Sequence, residues 1–462
     1  MHAAGTIAVM RFPIPAAALV LATLGGCAAT NTPTNTPTNT PTATPTSAPT
    51  ATTAARTPPP AAAPATSLPA QAPEPQPAGA SELARTIAGF HAWLRGFARE
   101  AVAAGIRQQT VDSLLERAQW QPRVLEADRA QPEFTRTPWA YLDSAVSPQR
   151  VAQGSEQLRL HAAALEAAER RYGVPASIIT AIWGMESNYG QNFGSFGTID
   201  ALATLAYDGR RRDWARGELL AALRIVDSGE IAADALVGSW AGAMGHTQFL
   251  PSVYLAHAVD ADGDGRRDIW GSVPDVIAST ANFLAHSGWH GGEPWGVEVR
   301  LPAGFDYAQA ELAVRKDAAA WAAEGVRAIH GDALPPLQGA SILTPAGARG
   351  PAILVGRNFR ALLHYNNSVN YALAVGLLAR QIDGGQGLVT PWPRMLQALS
   401  RTETLALQQR LNALGFDSGS ADGVAGPATR AALRRYQQSL GLPADGYATR
   451  ELLERLLQGR PD

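Results

Sequence analysis

Residues 174–187 read Val-Pro-Ala-Ser-Ile-Ile-Thr-Ala-Ile-Trp-Gly-Met-Glu-Ser, and this stretch decides how the folded part of the chain is organised. Pro175 suits the first turn of a helix, and the following apolar residues recur at helical spacing. Ile179, Trp183 and Glu186 share one face of this predicted helix, so Glu186 occupies a core position. Because burial disfavours an ionised carboxylate, its pKa should rise, as a general acid requires. A solvated Glu near a helix end is the alternative.

Three segments, taken in order, resemble one family. Residues 183–190, Trp-Gly-Met-Glu-Ser-Asn-Tyr-Gly, resemble the catalytic motif of the membrane-bound lytic murein transglycosylase B family, glycoside hydrolase family 103. Residues 238–252, Gly-Ser-Trp-Ala-Gly-Ala-Met-Gly-His-Thr-Gln-Phe-Leu-Pro-Ser, resemble its second motif, and residues 358–371, Asn-Phe-Arg-Ala-Leu-Leu-His-Tyr-Asn-Asn-Ser-Val-Asn-Tyr, its last. The likeness spans about residues 82–380 and is far more specific than any single motif. It implies a mainly α, lysozyme-like transglycosylase core.

The resemblance also implies the residues of the site. Glu186 corresponds to the catalytic acid/base of the family. The family commonly has Tyr at the position of Phe283, so a hydroxyl contact is lost there, although stacking on a sugar remains available. The groups expected to line the sugar cleft are Ser239, Gln248, Phe283, Tyr365, Asn366 and Tyr371.

The residue types of the motifs indicate the reaction. Glycoside hydrolysis normally uses two carboxylates, but the second and third motifs contain no Asp or Glu. One acid among neutral hydrogen-bonding groups suits an intramolecular reaction, in which the substrate supplies the nucleophile. The resemblance implies cleavage of the β-1,4 bond between N-acetylmuramic acid and N-acetylglucosamine in peptidoglycan, giving 1,6-anhydromuramoyl ends without water or a cofactor. The alternatives are a hydrolytic muramidase of the same fold and a non-catalytic, peptidoglycan-binding scaffold lipoprotein.

An acidic loop follows the second motif. Asp260, Asp262, Asp264, Arg266 and Asp268 occupy positions 1, 3, 5, 7 and 9 of an EF-hand-like loop, where position 7 would contribute its backbone carbonyl. Position 12 is Gly271 in place of the expected Glu, and Asp275 closes the site in a lengthened loop, a choice that the family resemblance supports. Hard oxygen donors favour a structural Ca²⁺. A solvated Asp-Gly turn is the alternative.

Composition and the N-terminus indicate the compartment. The formal net charge is −2 and no block of like charge stands out, which argues against nucleic acid as a partner. Residues 1–26 resemble a lipoprotein signal peptide, because Leu24-Gly-Gly-Cys27 matches a bacterial lipobox and Cys27 is the only cysteine. Ala28 after the lipidated Cys suggests the inner leaflet of the outer membrane, facing the periplasm. A cleaved signal with an incidental Cys is the alternative.

The rest of the chain divides by composition. Residues 27–80 carry the lipidated Cys and a Thr/Pro/Ala-rich disordered tether, so the membrane is contacted through the lipid anchor only. Residues 81–383 form the catalytic domain, with a small strand-bearing insertion, and residues 384–399 a linker. Residues 400–462 contain two copies of an Ala-Asp-Gly turn followed by a Thr-Arg helix start, at Ala421 and Ala444. They resemble a three-helix peptidoglycan-binding domain, with a generic helical array as the alternative.

These domains imply peptidoglycan glycan strands as the partner, with cell-wall synthesis or hydrolysis proteins as further candidates.

The periodicity of apolar residues predicts further elements. The helices are expected over Arg150–Arg171, Ala215–Ser228, Val273–Ala285 and Arg357–Arg380, and the strands over Val297–Leu301 and Ile353–Val355.

Overall fold

Helices dominate the part of the chain that the computed structural model describes, residues 78–129 and 136–459. In these residues no helix is both long and apolar enough to cross a membrane. The predicted signal peptide, Cys27 and the tether lie outside the described residues. The first seven helices are α1 (Ala78–Ala103), α2 (Gln108–Leu115), α3 (Pro122–Arg129), α4 (Pro138–Ala145), α5 (Pro148–Leu160), α6 (Ala162–Tyr172) and α7 (Ala176–Ser187).

Seven further helices complete the α-rich part. Six of them pack around α7 and around a second apolar cluster that includes Phe90, Leu219 and Tyr254, and the seventh, Ala318–Ala323, packs on the strand-bearing insertion. These helices are α8 (Thr198–Asp208), α9 (Arg212–Asp227), α10 (Pro251–His257), α11 (Val273–His286), α12 (Ala318–Ala323), α13 (Arg357–Tyr365) and α14 (Val369–Ile382).

Helix α7 is the centre of the fold. It contacts α5, α6, α11 and α14, and it is buried on both faces. Opposite the apolar face, a stripe of small and polar residues, Thr180, Gly184 and Ser187, is buried as well. Thr180 remains compatible with burial because its hydroxyl donates a 2.8 Å hydrogen bond to the carbonyl of Ala176. Glu186, near the end of α7, is only half-buried.

Two of the predicted helices are interrupted. The helix expected over residues 150–171 is divided at His161, which ends α5 and begins α6. The helix expected over residues 357–380 ends at Tyr365, because Asn366 is extended, and it restarts after Ser368, whose side chain caps α14. The second break brings Tyr365 to the end of one helix and Tyr371 to the first turn of the next.

The predicted strand-bearing insertion is a four-stranded antiparallel sheet. Its strands are ordered β4-β3-β6-β5, and its inner face packs on Trp321, Val326 and Leu337. A separate two-stranded sheet joins the start of α8 to the second motif. The strands are β1 (Phe196–Gly197), β2 (Val237–Gly238), β3 (Gly296–Arg300), β4 (Arg327–Ala328), β5 (Ser341–Leu343) and β6 (Ala352–Val355).

The segment predicted as a linker is held against the catalytic domain. Glu298, a buried residue of β3, accepts hydrogen bonds from the backbone N–H groups of Val389 and Thr390, at 2.6 and 2.7 Å. Arg394 forms an ion pair with Asp143 of α4, at 2.6 Å. These contacts fix the position of the segment that leads into the C-terminal helices.

Three helices form the C-terminal unit: α15 (Arg401–Ala413), α16 (Pro427–Ser439) and α17 (Arg450–Gln458). Their core contains Leu407, Leu433 and Leu453. Each Asp-Gly turn of the repeat is held by a buried Gln of the preceding helix. Gln408 donates to Asp422 at 3.0 Å, and Gln437 donates to Asp445 at 2.6 Å. The two copies of the sequence repeat therefore share the same hydrogen bond between a Gln side chain and the Asp of the turn.

Candidate active site

A single carboxylate and a tyrosine form the centre of the site. The Tyr371 hydroxyl donates a 2.5 Å hydrogen bond to Oε1 of Glu186. Burial raises the pKa of Glu186 to about 7, and the hydrogen bond from Tyr371 offsets part of that rise. Neither cause is a neighbouring charge. Glu186 therefore carries a proton over much of the neutral range, as the sequence predicted, and it can lose that proton readily.

A left-handed turn follows the carboxylate directly. Asn188, Tyr189 and Gly190 all have positive φ, of 50, 58 and 83°. This conformation costs free energy for the two residues with a Cβ, so the surroundings must compensate. Ser187 contributes, because its hydroxyl accepts from the N–H of Gly190 at 3.0 Å. The turn ends α7 abruptly and leaves Glu186 at the edge of the core.

Aromatic rings packed around the end of α7 explain two glycines of the first motif. Tyr189 is buried, packs edge-on against Trp183 and donates from its hydroxyl to the carbonyl of Arg150, at 2.8 Å. A Cβ on Gly184 would lie 2.5 Å from Cζ of this ring, and a Cβ on Gly190 would lie 2.3 Å from the ring of His246. Both glycines are therefore required by close packing around the end of α7.

Tyr141 belongs to the site, although the sequence did not indicate it. This half-buried residue of α4 packs on the core cluster that contains α7 and Tyr371. Burial, and then the proximity of Glu186, raise its pKa to about 12. Burial and the proximity of Glu186 also raise the pKa of Tyr365. Three phenols thus surround one carboxylate, and no local sequence pattern marks Tyr141, because α4 reaches the site through tertiary packing.

Tyr365 connects the third motif to the second. Its hydroxyl donates to the carbonyl of Thr247, at 2.7 Å. The ring of Phe283, in α11, lies edge-on to the ring of Tyr365, with centroids 4.9 Å apart, and also contacts Phe249. Phe283 is therefore part of an aromatic wall beside the site. The family resemblance implies a ring at this position, which here lacks the hydroxyl of the tyrosine that is common in the family.

Gln248 and Ser239 are held by their own loop. Gln248 has φ of 50°, and its amide donates to the carbonyls of Phe193 and Gly245, both at 3.0 Å. The Ser239 hydroxyl accepts from the N–H of Ala243 at 3.1 Å and closes a tight turn. Because Phe193 follows the left-handed turn, Gln248 fastens the second motif to the first.

Asn366 lies at the break between α13 and α14. It is 9% exposed, and its backbone N–H donates to the carbonyl of Leu362. Its carbonyl accepts from the N–H of Ser368 at 2.7 Å. The residue thereby sets the spacing between Tyr365 and Tyr371.

The acidic loop brings three of its predicted ligands together. One carboxylate oxygen of each of Asp260, Asp262 and Asp264 lies within 4.8 Å of the others. Asp260 also accepts from the N–H groups of Gly263 and Gly265, at 2.7 and 2.9 Å, so the loop is wound around this carboxylate. Three converging carboxylates are a donor set that fits a hard divalent cation.

The other predicted ligands have different roles. Both oxygens of Asp275, which is fully buried, accept backbone N–H groups of the loop, from Ala261 and Asp268, each at 2.7 Å. Asp268 accepts from the N–H of Trp270 at 2.9 Å, and Arg266 pairs with Asp264 at 3.2 Å. Neither Asp268 nor Asp275 belongs to the group of three converging carboxylates. Asp275 therefore shapes the loop from inside, whereas the sequence predicted it as the closing ligand.

Comparison with known proteins agrees with this geometry. A transglycosylase SLT domain model matches residues 89–380, and a peptidoglycan-binding domain model matches residues 400–456. The chain is 34% identical over 251 residues to membrane-bound lytic murein transglycosylase B of Escherichia coli, a match that covers 52% of this chain and 66%, just under two thirds, of that protein.

Two solved structures are informative. SltB3 of Pseudomonas aeruginosa, in complex with NAG-anhNAM-pentapeptide, is 53% identical, with a TM-score of 0.77, over 80% of this chain and 99% of that one. The Escherichia coli lytic transglycosylase SLT35, in complex with calcium, is 30% identical, with a TM-score of 0.56, over 63% of this chain and 92% of that one. The resemblance of the three motifs is confirmed. The chain belongs to the transglycosylase SLT family of lytic murein transglycosylases and carries a C-terminal peptidoglycan-binding domain.

Proposed function

We propose that Glu186 carries out both proton transfers of a non-hydrolytic cleavage of peptidoglycan. The observation that supports this role most directly is the pKa of about 7 for a half-buried carboxylate that accepts a hydrogen bond from Tyr371. A group with a pKa near the working pH serves equally as acid and as base. The substrate is the β-1,4 bond between N-acetylmuramic acid and N-acetylglucosamine.

In the first step, protonated Glu186 donates its proton to the glycosidic oxygen, and the bond from that oxygen to C1 of the muramoyl unit breaks. The N-acetyl carbonyl of the same sugar stabilises the cationic C1. The site then holds a carboxylate anion, which the hydroxyl of Tyr371 stabilises by its hydrogen bond.

In the second step, the Glu186 anion removes the proton of the 6-hydroxyl of the muramoyl unit. That oxygen attacks C1, displaces the N-acetyl oxygen and closes the 1,6-anhydro ring. Glu186 is protonated again, and no water is consumed. The nucleophile and C1 belong to one sugar, so their proximity supplies much of what a second carboxylate would provide.

The aromatic and amide groups around Glu186 position the sugars. Phe283 and Tyr365 offer ring faces, while Tyr141 provides a phenol on the opposite helix. Since the amide hydrogens of Gln248 are bound to backbone carbonyls, this residue contacts a sugar through Oε1. Asn366 and Ser239 complete the set of neutral groups.

The products of purified sacculi test this mechanism. A transglycosylase releases muropeptides with 1,6-anhydro ends, lighter by one water than the reducing ends that a muramidase releases. A scaffold protein releases nothing. Mass spectrometry of the soluble fraction, with Glu186→Gln protein as the blank, distinguishes the three. Reducing ends as the main product would refute the intramolecular route.

The C-terminal domain, residues 400–462, holds the enzyme on the cell wall. Its match to a peptidoglycan-binding domain supports this role. Sedimentation with sacculi provides the test, with Glu186→Gln used as the background so that the wall stays intact. Removing residues 400–462 should lower the sedimenting fraction, and an unchanged fraction would assign wall binding to the catalytic domain.

The cation and the anchor complete the proposal. Asp260, Asp262 and Asp264 hold a structural Ca²⁺, and this ion takes no part in the proton transfers. A lipid on Cys27 anchors the chain in the inner leaflet of the outer membrane. Mass spectrometry of the mature N-terminus, compared with a Cys27→Ala variant, tests for the lipid.

A further inference from the structure

A cavity of about 620 Å³ lies where the C-terminal domain packs on the catalytic domain. Its wall is formed by parts of the chain that are distant in sequence: the starts of α4 and α14, residues 310–313 and the turn after β5 in the strand insertion, and α16 with the turns of the C-terminal repeat. The volume is in the range of small-ligand sites. None of the proton-transfer steps uses this cavity.

The cavity adjoins the active site through two helices. Thr137 lines it and caps α4, and Tyr141 follows one turn later in the same helix. Asn370 also lines it and directly precedes Tyr371 in α14. One helical turn rises only about 5.4 Å. A polymer that is cleaved at Glu186 can therefore place a neighbouring group in the cavity.

The junction between the domains is preformed. Glu311 accepts hydrogen bonds from Arg430 and Arg434 of α16, at 2.9 and 3.1 Å. Asp445 of the second repeat accepts from the N–H of Ala348 at 2.8 Å. At Gly347, whose φ is 64°, a Cβ would lie 2.4 Å from that carboxylate. Such close contact keeps the cavity at a constant shape, which lowers the entropic cost of binding a ligand.

The lining favours a peptide over a sugar. Among the described residues that line it, Tyr447 is the one aromatic, whereas Leu312, Leu343 and several alanines and prolines provide small apolar surfaces. Arg136 adds a guanidinium group, which recognises carboxylates, while Arg430 and Arg434 neutralise the acidic side chain of Glu311 in the wall. Short apolar side chains combined with free carboxylates are the chemistry of the peptidoglycan stem peptide, in which alanines lie at the two ends and residues with free carboxylates lie between them.

We infer that this cavity binds the stem peptide of a muramoyl unit next to the bond being cut. The inference rests on the proposed function, because it names the part of the same substrate that the C-terminal domain recognises. The catalytic domain supplies one wall and the C-terminal domain the other, so selection of peptide-bearing strands requires both domains.

Substitutions that fill the cavity test the inference. Ala313 and Ala425 are exposed residues on opposite walls, so Ala313→Trp and Ala425→Trp should narrow it without disturbing the core. Ala319→Trp, on an exposed position of α12 outside the cavity, is the matched control. Two full-chain assays are compared: turnover of a glycan with intact stems, and turnover of the same glycan after an amidase has removed them.

We expect KM for the stem-bearing glycan to rise about fivefold or more in both cavity variants, with the stripped glycan unaffected. Free stem pentapeptide should bind wild type and the control, and bind the cavity variants more weakly. A melting temperature measured for each variant identifies any that is unfolded, and binding of the pentapeptide to wild type remains a test in that case.

Equal losses on both glycans would assign the cavity to the sugar chain, and no loss on either would leave it without a substrate role. Each result overturns the inference, as does failure of the free pentapeptide to bind wild type. Failure of the proposed function has a different signature, because wild type would then release no anhydro product from either glycan.

Discussion

In the sequence, one carboxylate, Glu186, precedes the second motif, and a group of three, Asp260, Asp262 and Asp264, follows it. The two regions differ in solvation and in the groups that surround each carboxylate. Glu186 is half-buried, has a pKa raised to about 7 and accepts one hydrogen bond from a phenol. Asp262 and Asp264 are exposed, Asp260 is half-buried, and the three carboxylates converge on one another. The first arrangement favours a bound proton, and the second favours a bound cation. The same chemical group is thus assigned two roles by solvation and by its neighbours.

Asp275 is an intermediate case that separates these influences. It is more deeply buried than Glu186, and desolvation raises its pKa, a rise that backbone N–H groups offset only in part. Three of these groups, from Ala261, Asp262 and Asp268, reach its two oxygens. A buried carboxylate with a raised pKa is therefore not by itself a general acid. A usable proton also requires few donors and access to substrate.

The largest effect should come from removing the proton at Glu186. Glu186→Gln keeps the size of the side chain but cannot act as acid or base, so kcat on sacculi should fall about 10²-fold or more. Release of soluble muropeptides measures the rate. Glu166→Gln, an exposed residue of α6, is the control and should remain near wild type. Residual activity above about a tenth of wild type would reassign the acid.

The same substitution should stabilise the protein at alkaline pH. The pKa of Glu186 is about 7 in the folded chain and 4.5 ordinarily, so the folded state binds more protons between these values. The free energy of unfolding therefore falls as pH rises through this window, by up to about 3 kcal/mol. Glu186→Gln lacks this dependence. Denaturant unfolding at about pH 4 and pH 8 should show its advantage growing with pH. A constant difference would contradict the raised pKa.

At the acidic loop the effect should appear in stability rather than in rate. Bound Ca²⁺ should raise the free energy of unfolding by about 2.7 kcal/mol at 100 times the dissociation constant. Melting temperatures with excess Ca²⁺ and with chelator should differ for wild type and coincide for Asp262→Ala/Asp264→Ala. Asp332→Ala, at an exposed site elsewhere, should behave as wild type. Immediate loss of rate on chelation in folded protein would give the metal a catalytic role.

The smallest effect concerns the hydrogen bond at Glu186. Tyr371→Phe removes the donor that lowers the pKa of Glu186, so this pKa should rise above about 7. The alkaline limb of the pH–rate profile should move upward, while the maximal rate falls about tenfold, because the carboxylate anion loses a partner. An unchanged alkaline limb, whatever the maximal rate, would show that the hydrogen bond does not tune the acid.

Much of this arrangement follows from local pattern. Helical periodicity placed Glu186 on the core face of α7, and spacing placed three aspartates in one loop. Both are properties of a few consecutive turns of chain. The break at Asn366 was missed, because helical spacing continues across it and only the cap at Ser368 restarts the helix.

What the sequence could not indicate depends on tertiary contacts. Tyr141 reaches Glu186 only because α4 packs against α14, which in turn packs against α7. The positive φ of Tyr189 is set by the packing of its ring, which involves residues of α5 and α7. The predicted linker is fixed by Glu298, whose partners lie 91 and 92 residues away. None of these tertiary contacts produces a periodic pattern in the sequence.

The left-handed turn after α7 has a consequence for drug resistance. A change in this turn that alters the surface around an inhibitor bound at Glu186 meets tight packing, because at Gly184 and Gly190 a Cβ would come within 2.5 and 2.3 Å of aromatic rings. Such substitutions would therefore displace Tyr189 or His246, and with them the end of the helix that carries the acid. Escape variants at this turn should be rare in selection experiments, since the changes that exclude the drug also disable its target.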